Sequence, residues 1–401
     1  MAGRIYEHFD VVIAGAGSSG VAAAVAASSQ GARVCLLEKE PAAGGGYVQS
    51  GTTAFKPVYA HDPIEGFSAL CAPWGPWMTL DPEALQRFYY RRLRERDVLL
   101  LTSAWVMDAT LENGSITQLL ALTREGSMQV EGDVFIDATG DGDVAALCAV
   151  PYTEGREEDG RSLPPVYCFT LQGCGIGWEQ VKPGREALAE LGLSGLRLFP
   201  GVRGGEVTVM MLYDEEAVAT SAIDRARADG ALRAAVDPVM ALLARYSAFE
   251  GAVMARQGAR VVFPEGRHPQ GRTILDSRDL VAGTRFPDWV VANLTADIEL
   301  PGMEGIEEAP SVRAYDIPYR ALTPVRVKNL LLCGRCISGT HRAHGSFRAL
   351  QPTLATGQAA GIAAYLALES GGRVQKVPVG RLQQAMLRSG MEPPRWLKDE
   401  V

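Results

Sequence analysis

The chain has 401 residues, of which 47% are hydrophobic and 21% charged, and a net charge of −8. That length exceeds a typical single core, so two domains are expected, and the composition is that of a globular protein. An acidic balance without a basic run excludes nucleic acid and anionic membrane as natural partners, and no apolar run reaches the length of a membrane span.

Met1 to His8 is short and charged, and an apolar run begins directly behind it. That leaves no room for a secretory signal, and a cytoplasmic location is the expectation. Phe9 to Ala14 then reads as a buried strand. It is followed by Gly15-Ala16-Gly17-Ser18-Ser19-Gly20, an alanine-rich helix from Val21 to Ser29, Gly31-Ala32, and a second strand, Arg33 to Leu37, closing on Glu38. The order is strand, G-x-G-x-x-G, helix, strand, acid. Gly15 permits the tight turn, Gly17 lets backbone approach a pyrophosphate, and Gly20 lets the helix pack on the strand. The helix N-terminus presents free N–H groups and the positive end of its dipole to that anion. Glu38 is placed to accept hydrogen bonds from a ribose. Because strand, helix, spacing and acid agree, a dinucleotide site outweighs a glycine-rich turn in an ordinary α/β protein. These residues do not say which dinucleotide.

Beyond Lys39-Glu40-Pro41 comes Gly44-Gly45-Gly46, where backbone can pass close to a cofactor. Residues 47–80 show no period; His61 there reads as structural, and Tyr47 is the more interesting residue. Asp81-Pro82-Glu83 starts a helix, with Asp as N-cap and Pro in the first position. Val98 to Leu101 reads as a strand. Three β segments follow, Ala104 to Leu111, Ser115 to Thr123 and Ser127 to Ile136, the first pair joined by the hairpin signal Asn113-Gly114. They read as a meander inserted into a parallel sheet. The third runs into Asp137-Ala138-Thr139-Gly140-Asp141-Gly142-Asp143, at the strand end where α/β proteins bind ligands. Asp141 and Asp143 lack EF-hand spacing, so no metal is expected there.

From Val150 the texture changes. Strands are expected at Tyr167 to Gln172, Glu206 to Leu212, Arg260 to Phe263 and Asp288 to Leu294. Helices are expected from Asp214 to about Asp229 and from about Ala231 to Gly251. No second G-x-G-x-x-G opens a helix here, which argues against a separate NAD(P)H domain. Asn329 to Cys333 is again a buried strand, stopping at Gly334-Arg335, and a small-residue helix runs from about Gln351 to Leu368. The seven cysteines, Cys35, Cys71, Cys148, Cys168, Cys174, Cys333 and Cys336, are scattered and odd in number, so they form no disulfide framework. Cys333-Gly-Arg-Cys336 has no second pair nearby, which argues against metal or redox work; Cys336 alone is kept as a residue that could face a cofactor.

Taken together, the fingerprint at 15–20 with Glu38, the glycines at 44–46, Ile136-Asp137-Ala138-Thr139-Gly140-Asp141-Gly142-Asp143, and Gly334-Arg335-Cys336-Ile337-Ser338 before His344-Gly345-Ser346 and Gly357-Gln358-Ala359-Ala360-Gly361 resemble an FAD-dependent oxidoreductase family within the glutathione-reductase-like flavoproteins. The resemblance covers nearly the whole chain, more loosely in the middle, where Glu265, Arg267, Gly271 and Asp279 fall in place. It implies an α/β fold, a Rossmann-like FAD-binding domain of the second glutathione-reductase type (GR2) made of residues 1–150 and 322–401, and an inserted α+β substrate domain, 151–321. Residue by residue, it implies that Gly15, Gly17, Ser18, Ser19 and Gly20 hold the pyrophosphate and that Glu38, with Lys39 next to it, binds the ribose. Gly45 and Gly46 pass near the ribityl chain and pyrophosphate, and Val106 meets adenine through its backbone. Ala138, Thr139 and Gly140 line the adenosine side, and Gly334 and Arg335 the phosphate and ribityl chain. The helix starting near Gln351, with Pro352 and Thr353, points N–H groups at the flavin N1/C2=O edge, where reduced flavin is negative. The chain departs from the family pattern in the Gly44 to Ser50 loop, and at Pro264-Glu265-Gly266-Arg267, where relatives often have Arg-Glu-Ser-Arg.

The resemblance brings His341, His344 and Arg348 near the flavin ring. A histidine there can take a substrate proton as hydride leaves, and Arg348 can fix a carboxylate or oxyanion; the alternative is that all three brace the loop or the cofactor. His341-x-x-His344 has no third ligand evident in the sequence, so no metal is expected. The expected activity is a flavin dehydrogenase or oxidase acting on a small organic molecule. The alternatives are an electron-transfer subunit, or a flavoenzyme catalysing a net non-redox isomerisation or elimination. A small-molecule substrate is the expected partner, and a homo-oligomer is left open.

Overall fold

Strand β1 (Phe9–Ala14) passes through α1 (Ser18–Ser29) into β2 (Val34–Glu38), which lies parallel to it with Val12 opposite Cys35 and Ile13 opposite Leu36. Val11, Val12, Ile13, Cys35 and Leu36 are fully buried, as a parallel strand covered on both faces requires. The computed structural model describes residues 4–5, 8–302 and 311–398. Most of Met1 to His8, where the absence of a secretory signal was read, lies outside the described residues. The glycine loop after β2 is not open coil: it winds into a short helix, α2 (Gly45–Ser50). Helix α3 (Pro82–Glu95) starts as its sequence dictates, with the Asp81 carboxylate accepting the Glu83 N–H. Strand β3 (Leu99–Thr102) extends the parallel sheet beyond β2.

The meander β4 (Trp105–Glu112), β5 (Ser115–Thr123) and β6 (Gly126–Asp137) completes an eight-stranded sheet. Asn113 and Gly114 both take positive φ, 51° and 78°, and so form the two-residue turn whose twist matches the flanking strands. Strand β6 serves two sheets in one: its first half pairs antiparallel with β5, and its second half pairs parallel with both β1 and Leu330–Leu332. The chain therefore returns some two hundred residues later to the sheet where it began, and the long helix Leu350–Leu368 packs back onto α1.

A second, antiparallel sheet holds β7 (Val166–Gln172), β8 (Leu193–Pro200), β9 (Val207–Tyr213) and β10 (Val253–Gln257), in the order β8-β9-β7-β10. Helices α4 (Ala222–Ala234) and α5 (Val236–Leu243) cover it. Asp214 does not cap a helix; the Ser221 hydroxyl caps α4 by accepting the Asp224 N–H. The two helices meet at Ala235 because Pro238 has no N–H to continue an older helix but is tolerated in the first turn of a new one. The strand expected at Arg260 to Phe263 is only a single bridge, Val262 to Val166. Residues 47–80, aperiodic in sequence, hold a small three-stranded sheet, Ala54–Phe55, Cys71–Trp74 and Trp77–Leu80.

There are two cores. One surrounds the parallel sheet and takes in Leu275, Trp289, Val291, Tyr315 and Tyr319; the other joins Tyr167, Phe169, Val209, Leu232, Val239 and Phe263. The segment 151–321 is thus not uniform. Its last part, including the pair Trp289–Leu294 and Tyr315–Pro318, packs with the parallel sheet. Among the described residues no helix is long and apolar enough to cross a membrane.

Candidate active site

Loops at the carboxyl ends of the parallel strands open a cleft of about 370 Å³, which also meets the second sheet. Its floor is the turn between β1 and α1. Gly15 sits at φ +98°, and a Cβ there would lie 2.4 Å from the Ala138 carbonyl oxygen. Gly20 touches the Gly15 carbonyl, so its lack of a side chain is what lets α1 lie on β1. The first turn of α1 has no side-chain cap and no acid, and Gly17, Ser18 and Ser19 line the cleft, so uncapped backbone donors face an open space. Gly45, at φ +61°, comes so near that a Cβ would lie 2.7 Å from Gly17 Cα. These two glycine turns form a backbone cradle that fits a pyrophosphate.

Glu38 is buried at the end of β2 and lines the cleft. Its carboxylate accepts the Ala16 N–H at 2.6 Å and the Glu40 N–H at 2.9 Å. Burial nonetheless pushes its pKa up. Each oxygen keeps a lone pair for a ribose hydroxyl. Lys39, Gly46, Val106, Ala138, Thr139, Gly140, Arg335 and Thr353 also line the cleft. Gly334 and Pro352 do not. The Gly334 N–H donates to Thr356 Oγ1 at 3.1 Å, joining that turn to the helix Leu350–Leu368. Asp137 anchors the turn after β6: it accepts from the Thr139 hydroxyl at 2.7 Å and the Ala145 N–H at 2.9 Å, while full burial pushes its pKa up to about 6.

Asp141 is the electrostatic hub. Arg335 donates to it at 2.6 Å, Arg225 from α4 reaches it at 3.1 Å, and Lys39 stands 3.9 Å away. Burial opposes its charge, yet Arg335, Lys39 and Arg225 hold its carboxyl below the usual range. Gly266 passes so close that a Cβ would lie 2.4 Å from Asp141 Oδ1. Arg260 pairs with Glu40 across the same opening.

At the opposite end the cleft is walled by Phe55, Trp77, Phe199 and Met210, with Tyr47 behind, its hydroxyl buried and unpartnered. Charge gathers here around Glu299: Lys56 at 2.9 Å, Arg197 at 3.3 Å, and Arg348, whose Nη2 donates to the Glu299 carbonyl at 3.0 Å. Burial lowers the Arg348 pKa, and its Nε has no partner. Lys56, Trp77, Arg197 and Glu299 were not singled out from the sequence, because they sit in aperiodic or weakly patterned stretches.

Helix α6 (His341–Phe347) begins at Thr340, whose hydroxyl accepts the Ala343 N–H. It turns Gly345 and Ser346 towards the cleft, and the expected position of His341 and His344 at the cleft wall is not what is observed. Spaced three apart, the two histidines share one face, buried against Glu265 and His268. Cys336 is also fully buried; its thiol points to the Asp137 and Cys333 carbonyls, and burial raises its pKa, so it faces no cofactor here. His61 is structural, bonded to Gln358 on α7 (Leu350–Leu368) at 2.9 Å.

Comparison with known proteins agrees with this geometry. A geranylgeranyl bacteriochlorophyll reductase-like protein from Thermoplasma acidophilum has a similar fold, with a TM-score of 0.51 and 14% identity over 99% of this chain and 88% of that one. A flavin-dependent brominase matches with a TM-score of 0.51 and 12% identity, over 94% of this chain and 83% of its own. At such identities the likeness concerns the fold alone. No curated protein matches the chain. A protein-family model described as FAD dependent oxidoreductase matches residues 10–386. Spanned by that match almost from end to end, the chain is an enzyme with FAD as its cofactor and belongs to the FAD-dependent oxidoreductase family.

Proposed function

We propose that the enzyme is a dehydrogenase or oxidase that moves a hydride between a C–H bond of a small organic acid and flavin N5. In this reading a Rossmann-like domain of the glutathione-reductase-like arrangement, drawn from residues 1–150 and 322–401, holds FAD, and the second sheet supplies the far wall of a substrate chamber. Bound FAD supplies the hydride and electron chemistry. Gly15, Gly17, Ser18, Ser19, Gly45 and Gly46 cradle the pyrophosphate, Glu38 takes the ribose, and Val106 meets the adenine. Ala138, Thr139 and Gly140 line the adenosine side, with Lys39 and Arg335 at its edge.

One observation supports the substrate class best. The cleft continues past the glycine cradle into an aromatic chamber where Lys56 and Arg197 pair with the half-buried Glu299 carboxylate and Arg348 bonds the Glu299 backbone carbonyl. Phe55, Trp77 and Phe199 offer apolar faces to a substrate body, and the cations offer a seat for its carboxylate or oxyanion. Arg348 binds and orients that anion. His344, behind Gly345 and Ser346, braces the wall in this reading and does not touch the substrate.

The test is anaerobic reduction of the bound flavin by a panel of small organic acids, followed at the visible flavin band. The Arg348→Met enzyme should keep its flavin but need roughly 10–150-fold more of an acid that bleaches the wild type, the worth of a charge-assisted hydrogen bond of about 1.5–3 kcal/mol. If neutral analogues bleach the flavin as readily as acids, the substrate class is wrong.

A further inference from the structure

Three of the chain's five histidines, His268, His341 and His344, converge with Glu265 in one buried cluster that the cofactor and substrate sites do not use. Glu265 comes from the segment after the second sheet, and its Oε2 is held by the Leu163 N–H at 2.8 Å. Its Oε1 bonds His268 Nε2 at 2.7 Å and His341 Nδ1 at 2.8 Å. The His344 ring stands edge-on to His268, with centroids 4.8 Å apart. All four residues are at most 4% exposed.

Polar bookkeeping leaves this cluster incomplete. His268 Nδ1, His341 Nε2 and both nitrogens of His344 are buried without a hydrogen-bond partner. Buried polar atoms ordinarily have partners, and each orphan carries a desolvation cost. Glu265, His268 and His344 also each bring one ligand atom to within 4.8 Å of the others, close enough for small side-chain rotations to gather them on one ion. Two imidazoles and a carboxylate are the donor set of zinc and non-haem iron sites.

We propose that Glu265, His268 and His344 bind one divalent first-row transition ion, Zn²⁺ or Fe²⁺, in a site separate from the flavin cleft. His341 is a positioning residue: its Nδ1–H donates to the Glu265 carboxylate and orients it, the arrangement by which partners behind a metal ligand tune affinity. The ion ties the 265–268 segment to α6, which also carries Gly345 and Ser346 at the cleft wall. The fold thus brings to His344 two ligands, Glu265 and His268, that its sequence neighbourhood lacks. The proposal is independent of the substrate reading above.

The test uses the full chain with its FAD, stripped by chelator and dialysed, then titrated with Zn²⁺ and, without oxygen, with Fe²⁺. About one equivalent of one of these ions should bind per chain and raise the thermal midpoint. The His344→Ala and His268→Ala proteins should lose that equivalent, and the exposed His8→Ala protein should keep it. The His341→Ala protein should bind about 10–100-fold more weakly. Flavin absorbance and circular dichroism check that the variants fold. Should the alanine variants not fold, X-ray absorption on the ion-loaded wild type decides: a shell with at least two imidazoles supports the site, and a shell of water or sulfur overturns it. A wild-type protein that takes up neither ion, or variants that bind as well as it does, also overturns it.

Discussion

Asp141 shows how much one side chain organises. Its carboxylate gathers Lys39 from just past β2, Arg335 from the turn after Leu330–Leu332 and Arg225 from α4, and so ties the second sheet's layer to the parallel sheet at the mouth of the cleft. Its pKa is held below the usual value, so the folded state favours its ionised form. The stability this gives is fully present above the unfolded pKa of about 3.9 and is lost as pH falls through the folded value. Asp141→Asn should therefore cost about 1.5–3 kcal/mol near neutrality, because it takes a charged hydrogen-bond acceptor from three half-buried cations. It should also flatten the acid limb of a urea-midpoint profile below about pH 4. An unchanged acid limb would show that the three cations do not hold that charge. Asp141 and Asp143 were legible as a pair of acids at a strand end, but their partners were not, because Arg225 lies 84 positions away. The same limit hid the histidine cluster: His341 and His344 were visible as a pair, and only the fold brings Glu265 and His268 to them.

Helices α1 and α7 form the tightest contact between elements, and glycine makes it possible. A Cβ at Gly357 would lie 2.2 Å from the Ser19 carbonyl oxygen, and one at Gly361 the same distance from that of Ala23. Gly361→Ala should gain about 1 kcal/mol of helix propensity. The overpacking costs about 1–3 kcal/mol. The clash is with backbone, which cannot rotate away, so the net effect should be a lower urea midpoint; a stabilised variant would mean that the two helices can separate cheaply. The helix, strands and meander around this contact were readable because a parallel sheet with covering helices writes continuous apolar runs and small-residue stretches. Leu193–Pro200 and Val253–Gln257 were missed because they are half-buried strands with no clean alternation, interrupted by Arg197 and Arg256. Two helices were read with their break near Gly230, but the break falls at Ala235, because Pro238 is tolerated only in the first turn of a new helix.

At the scale of the whole molecule, the candidate cleft is lined from both ends of the chain. The β1–α1 turn alone says only that a dinucleotide fits. Strand Leu330–Leu332 beside β6, and α7 packed on α1, bring the C-terminal residues Arg335 and Thr353 to the same cleft, and the family match extends across both halves. The central claim is that this cleft, pinched between Gly17 and Gly45, holds the flavin. It is tested most directly by titrating flavin-free protein with FAD and following flavin fluorescence, for the wild type and for Gly45→Val. The wild type should bind one FAD per chain. The variant must move its loop away from Gly17 or strain the backbone by roughly 1–3 kcal/mol, and should bind about 10–100-fold more weakly while its circular dichroism stays that of the wild type. Equal affinity in the folded variant would contradict the account, because the flavin would then lie somewhere other than against the two glycine turns.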